Sequence, residues 1–301
     1  MEKKISVGGQ ALIEGVMMRA KNKISIVVRK KDGDFVYKDQ EINGDSFLMK
    51  IPILRGMIAL ISSMIIGIKA LSFSAEFYAE EDDDYEMSKF DKWIYDKFGD
   101  NAENIIVAFS MVTAMILAFF MFGFAPTFLI NFLKSNIENT VILSGLEGIV
   151  KIVIFISYLA VISNMKDIKR VFQYHGAEHK SIYTYEAGEK LTVKNAIKQK
   201  RLHPRCGTNF ITIVLIVSII IFSFISWESL ITRVLLKVLL LPLVAGFSYE
   251  IIKLAGKSDN VFLKIISFPG MMMQKITTKE PDEKQLEVAL EALKRSINRE
   301  S

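Results

Sequence analysis

The three histidines and the one cysteine of the chain, His175, His179, His203 and Cys206, all fall between positions 175 and 206. Imidazole and thiolate side chains hold transition metals, so these residue types gathered this closely predict a metal site. The string His175-Gly176-Ala177-Glu178-His179 reads H-x-x-E-H, the inverted form of the zincin motif. On a helix, residues four apart share a face. Both imidazoles can then reach one ion, while Glu178 stands on nearly the same side as a general base. His203-Pro204-Arg205-Cys206 has the spacing of a short ligand knuckle and completes a His3Cys set suited to zinc.

Two forms of that site are expected. In the open form His175, His179 and one of His203 or Glu250 hold the ion, Cys206 stays unbound, and Glu178 or Glu250 takes a proton from water, which is hydrolase chemistry. In the closed form all four cluster residues bind and the site is structural, as in a scaffold or regulator of another membrane machine. A third reading needs no metal: the cluster is a polar network that binds a lipid headgroup or a partner.

A membrane surrounds the cluster. Half of the residues are hydrophobic, and the stretch 105–133 carries no charge, with its first part, before Pro126, long enough to span a bilayer. The stretch 207–227 is also uncharged. Two further spans are expected at 145–165, with Glu147 and Lys151, and at 233–254, with Lys237 and Glu250; the two lysines are expected to snorkel to the interface. Lys and Arg number ten in 1–50, ten in 166–205 and eight after Ala255, whereas the links at 134–144 and 228–232 carry at most one each. The rich segments are therefore expected in the cytoplasm, with both termini inside. That requires an even number of crossings before residue 166. The segment 51–75, with Arg55 and Lys69, is accordingly read as a re-entrant or interfacial helix.

The expected fold is a mainly α, polytopic helical membrane protein with about four transmembrane helices, one re-entrant or interfacial helix and a small N-terminal β-hairpin. The segments are a cytoplasmic β-element (1–50), the interfacial helix (51–75), an acidic cytoplasmic loop (76–104), a first transmembrane pair (105–165), the His/Cys segment (166–206), a second pair (207–254) and a cytoplasmic C-terminal segment (255–301). Asp32-Gly33 supplies the hairpin turn between strands at 23–30 and 35–42. The acidic loop carries Glu80, Glu81 and Asp82 to Asp84. Leu286, Leu290, Leu293 and Ile297 form one stripe of a docking helix, with Glu291 placed to pair with Arg295. Gly8 and Gly9 suggest a tight turn before a strand, and Gln10, Glu14 and Arg19 are polar residues of a candidate pocket there.

One cysteine excludes an internal disulfide and fits a reducing compartment. The basic balance is what membrane orientation requires, so nucleic acid is not an expected partner, and no Walker or GxGxxG loop supports a nucleotide. Expected partners are membrane lipids and either another membrane protein or further copies of the chain.

The strings at 8–19 (GGQALIEGVMMR), 175–180 (HGAEHK), 203–208 (HPRCGT) and 243–250 (LVAGFSYE) resemble the signature blocks of the YqhQ-like bacterial membrane proteins, and the likeness covers nearly the whole chain. The resemblance implies a multi-pass protein of the bacterial cell membrane with a candidate metal site. That family is named as a domain of unknown function, so it supplies no reaction.

Overall fold

The computed structural model describes residues 5–21, 23–42, 50–79, 88–227, 229–255 and 261–297. The acidic run Glu80 to Asp84 lies outside the described residues. The chain forms two compact units: the first comprises 1–81, 158–217 and 242–301, the second 82–157 and 218–241.

In the first unit the N-terminal strands β1 (Val7–Leu12), β2 (Gly15–Ala20), β3 (Lys23–Arg29) and β4 (Phe35–Glu41) form one antiparallel sheet in the order β1-β2-β3-β4. The expected hairpin is its β3–β4 half. Gly33 turns it with φ 97°, closed by Lys30 N–H donating to the Asp34 carbonyl at 2.9 Å. The sheet extends further towards the N-terminus than expected because both faces are covered. Val16, Met18 and Val27 join one core with the helices α6 (Lys166–Ala187) and α11 (Glu283–Ile297); Leu12, Met17, Ile24, Ile26 and Val28 join another with Ala70, Ile66, Phe73 and Phe77 of α1 (Leu54–Ala79). A strand apolar on both sides shows no alternation, the signal by which a half-buried strand is read. Gly8 and Gly9 lie within β1 and not in a turn; the turn comes at Glu14, whose φ is 50°.

The stripe Leu286, Leu290 and Leu293 on α11 is fully buried in the first core, and Ile297 packs against it. Arg295 bonds to Asp39 of β4 at 3.0 Å, while Glu291 lies 3.9 Å from Lys294. The pairing of Glu291 with Arg295 expected from helical spacing is replaced by this bond to the sheet.

Four helices are long and apolar enough to cross a membrane: Leu54–Tyr78, Ile105–Asn131, Thr140–Ile162 and Leu230–Leu254. The second is α3 (Ala102–Phe119) continued through a π-turn at Phe120–Phe124 into α4 (Ala125–Asn131), with Pro126, which cannot donate to the helical ladder, just after the π-turn. The others are α1, α5 (Thr140–Ile162) and α9 (Leu230–Ala255). Between them α2 (Lys89–Phe98) is capped by Ser88, whose hydroxyl accepts from the Asp91 amide.

Two differences from the sequence reading follow. The segment read as re-entrant or interfacial forms α1, whose length and composition also suffice for a crossing that was not expected, with one side of its C-terminal half packed on the sheet. The apolar stretch 207–227 ends as α8 (Gly207–Ser223), a shorter helix. Arg233 accounts for that end, because its guanidinium donates to the carbonyls of Phe222 (3.3 Å), Ile225 and Ser226 (3.3 Å), which gives the last turn its missing partners.

The same arginine belongs to a buried ionic cluster of the second unit. The Glu147 carboxylate accepts from Arg233 Nη2 at 2.9 Å, from Lys237 Nζ, and from Thr127 Oγ1 at 3.0 Å. Lys151 reaches Ser218 Oγ at 3.5 Å and lies 5.0 Å from the centre of the Phe222 ring. Lys151 and Lys237 are both buried, which corrects the snorkelling expectation. A carboxylate one helical turn from Lys151 gives both ammonium groups a counter-charge inside, so neither has to reach the interface.

Candidate metal centre

Helix α6 carries His175 and His179 on one face, and their rings lie 4.4 Å apart. His175 Nδ1 lies 2.8 Å from the Thr277 carbonyl at the end of α10 (Val261–Thr277), and His179 Nδ1 contacts the Arg201 carbonyl. A carbonyl only accepts, so each Nδ1 carries the proton and each Nε2 keeps its lone pair. That is how protein metal sites orient imidazoles, by fixing the far nitrogen.

Cys206 comes from the loop immediately before α8. Its Sγ lies 3.1 Å from His175 Nε2 and accepts from the Thr208 amide at 3.3 Å. The loop is held from behind by Gln274, which is fully buried; its side chain accepts from His203 N–H at 2.8 Å and donates to the His203 carbonyl at 2.8 Å. The ligand atoms of His175, His179 and Cys206 all lie within 4.8 Å of one another. One thiol proton can satisfy only one of the two Nε2 lone pairs. Consistent with this, His179 Nε2 is buried with no hydrogen-bond partner among the described residues. An orphaned acceptor of this kind costs about 1–3 kcal/mol, which a bound cation would remove. Burial also pushes the His179 pKa down, favouring the neutral, ligating form.

The other residues singled out from the sequence take different places. His203 is beside the trio but turned away from it: its Nδ1 accepts from the Arg205 amide at 3.3 Å and its Nε2 meets Glu186 at 3.3 Å. Both ring nitrogens are thus occupied. Glu250 is held by Arg55, whose Nε donates to it at 2.7 Å, and by the Ile53 amide at 3.3 Å, which is the counter-ion role among those open to it. Glu178 is buried against β1. A Cβ on Gly9 would come within 2.9 Å of its side chain, so a glycine is needed there for the carboxyl to approach the strand. Burial pushes the Glu178 carboxyl above its usual range, against the opposing pull of His175, His203 and the Gly9 amide.

Gln10 and Arg19 line one cavity of about 350 Å³. The side-chain amide of Gln10 sits against Gly67 of α1. Glu14 lies apart from them, at the hairpin turn, where it accepts from Arg170 Nη2 at 2.6 Å and from the Tyr174 hydroxyl at 3.1 Å. These bonds tie the β1–β2 turn to α6, and they hold the Arg170 guanidinium well above its ordinary pKa. The spacing of Arg170 and Tyr174 on one helix face was a legible signal for this contact; the carbonyls of Thr277 and Arg201 left none.

Gly176 fixes how closely the C-terminal segment crosses α6. The Lys279 amide donates to the Phe172 carbonyl at 2.8 Å, and a Cβ on Gly176 would collide with the Lys279 carbonyl. Gly176→Ala is expected to cost about 1–3 kcal/mol and to lower the thermal midpoint of the purified protein; an unchanged midpoint would count against this crossing.

The family model described as Protein of unknown function (DUF1385) matches residues 51–299. The chain belongs to the DUF1385 family. Another protein that it resembles over almost its full length is Uncharacterized protein YqhQ of Bacillus subtilis (strain 168), 34% identical over 299 residues, covering 98% of this chain and 93% of that protein. No solved structure matches. Membership in DUF1385 carries no activity with it, so the chemistry has to be argued from the site.

Proposed function

We propose that the chain is a metal-dependent membrane enzyme of hydrolase type, with His175, His179 and Cys206 as the ligands of one divalent ion at the cytosolic membrane surface. The observation that carries this reading is the pair of Nε2 lone pairs, each set by a backbone carbonyl behind it, converging on one thiol with His179 Nε2 otherwise unsatisfied. The mixed nitrogen and sulfur donors suit zinc, and three protein ligands leave a position open, as catalytic sites do. When bound, such an ion supplies Lewis-acid activation of water.

Glu178 is the residue of this chain that would hold and return the proton. Its carboxyl, buried against β1, lies near enough to His175 to feel its charge, and its raised pKa brings it closer to the working range of an acid–base group at neutral pH. The cytosolic placement rests on the basic segments 1–50, 166–205 and the C-terminus. It agrees with α1 lying in the interface, where Ile61, Met64 and Ile65 are exposed while Ala70 and Phe73 face the sheet.

The near-complete burial of His179 and Cys206 favours a second reading, a structural metal site that ties α6 to the start of α8. Chelator-sensitive hydrolysis separates the two. Zinc-loaded protein is expected to hydrolyse an activated phosphoester or carboxylic ester, and Glu178→Gln is expected to lose that activity while retaining its zinc. Full zinc content with no hydrolysis above the chelated control would leave the structural reading.

A further inference from the structure

The first unit carries a cavity of about 410 Å³ where the end of α1 meets the start of α6. Its wall is basic, with Arg29, Lys30, Lys31, Lys166, Arg170 and Lys284. Arg170 is committed to Glu14, and Arg29 to Glu287 at 2.5 Å. With those pairs set aside, Lys30, Lys166 and Lys284 still outweigh the one remaining carboxylate of the wall, Asp167. The excess is positive.

Two further features point to an anion. The first residues of α6 line the cavity, and its N-cap, Met165, makes no side-chain hydrogen bond, so the amides of the first turn keep their donors for another group. The cavity also lies beside the ends of two apolar helices. Ser74, Phe77 and Tyr78 close it from the last turns of the apolar α1, and Lys166 follows shortly after Ile162, where the apolar α5 ends. Lys30 Nζ lies 6.0 Å from the Phe77 ring centre and Lys31 Nζ 5.9 Å from that of Tyr78, an aromatic and basic border of the kind found at bilayer surfaces.

We infer that this cavity binds the phosphate of an anionic phospholipid headgroup. The chemistry recognised is a phosphate monoanion or dianion, and the place of the cavity at the ends of the apolar helices α1 and α5 favours a lipid over a soluble phosphate as its source. The wall contains none of the three metal ligands, so the inference stands apart from the metal reading.

Native mass spectrometry of the detergent-solubilised full chain tests it, with dioleoylphosphatidylglycerol and dioleoylphosphatidylcholine as probes and inorganic phosphate as competitor. The anionic lipid is expected to be retained about tenfold more tightly than the zwitterionic one. Combining Lys30→Ala, Lys166→Ala and Lys284→Ala should bring the two lipids level while leaving the thermal midpoint unchanged, because none of these lysines is buried. Equal retention of both lipids by the wild type, or undiminished selectivity in the triple variant, overturns the inference. Displacement of the anionic lipid by an equal concentration of inorganic phosphate overturns the lipid source and assigns a soluble ligand.

Discussion

Zinc content of about one ion per chain in the purified protein is expected to fall to near zero in His179→Ala and to stay at the wild-type level in His203→Ala. The contrast follows from the lone pairs. His179 directs an unsatisfied Nε2 at the cysteine, whereas His203 receives the Arg205 amide on Nδ1 and meets Glu186 through Nε2, leaving it no lone pair for an ion. Cys206→Ser should also lose the ion, since an alcohol is a poor ligand for zinc beside two imidazoles. Metal analysis after gel filtration in a chelator-free buffer measures all four proteins. Loss of zinc in His203→Ala would restore the four-ligand, closed site, and a wild type that stays empty after reconstitution would remove the metal reading altogether.

The second large effect concerns the ionic cluster of the second unit. Glu147→Ala leaves Arg233 and Lys237 buried without their carboxylate, and breaking a buried ion pair from one side costs about 3–5 kcal/mol. A fall of roughly 10 °C in the thermal midpoint is expected. Trp227 is a built-in reporter, because the Arg233 guanidinium stacks on its ring at 3.8 Å. Adding Lys237→Met should recover part of the loss, since one uncompensated charge goes with it. A midpoint within a degree or two of the wild type in Glu147→Ala would mean that the carboxylate does not balance these cations.

Much of this architecture was legible in the residue pattern. His175, His179 and Cys206 drew attention because histidine and cysteine are rare in this chain and sit close in number; what spacing could not reveal was that His203, three residues before Cys206, spends both nitrogens on Arg205 and Glu186. Apolar length disclosed the long helices, yet the early end of α8 depends on an arginine beyond it, whose hydrogen bonds to carbonyls leave no trace in hydropathy. The hairpin at Asp32-Gly33 announced itself by turn chemistry. Its continuation into β1 and β2 did not, since Val16, Met17 and Met18 are buried on both faces and lack alternation. Glycines 8 and 9 suggested a turn, but Gly9 serves a close approach by Glu178, a need that arises only between segments far apart in sequence.

The helix bearing His175 and His179 is gripped by segments far from it in sequence on either side: Gly9 meets Glu178, and Thr277 and Lys279 meet His175 and Phe172. During synthesis, therefore, the candidate metal site stays incomplete after His175, His179 and Cys206 have all left the ribosome. His175 acquires its orienting carbonyl only when α10 has been made, by which time the apolar helices α1, α3, α4, α5, α8 and α9 have all been synthesised. Were the cluster to hold an ion, binding and folding would be one equilibrium, so loading would wait for α10, and a product truncated before Thr277 would carry His175, His179 and Cys206 with only one of the two imidazoles aligned.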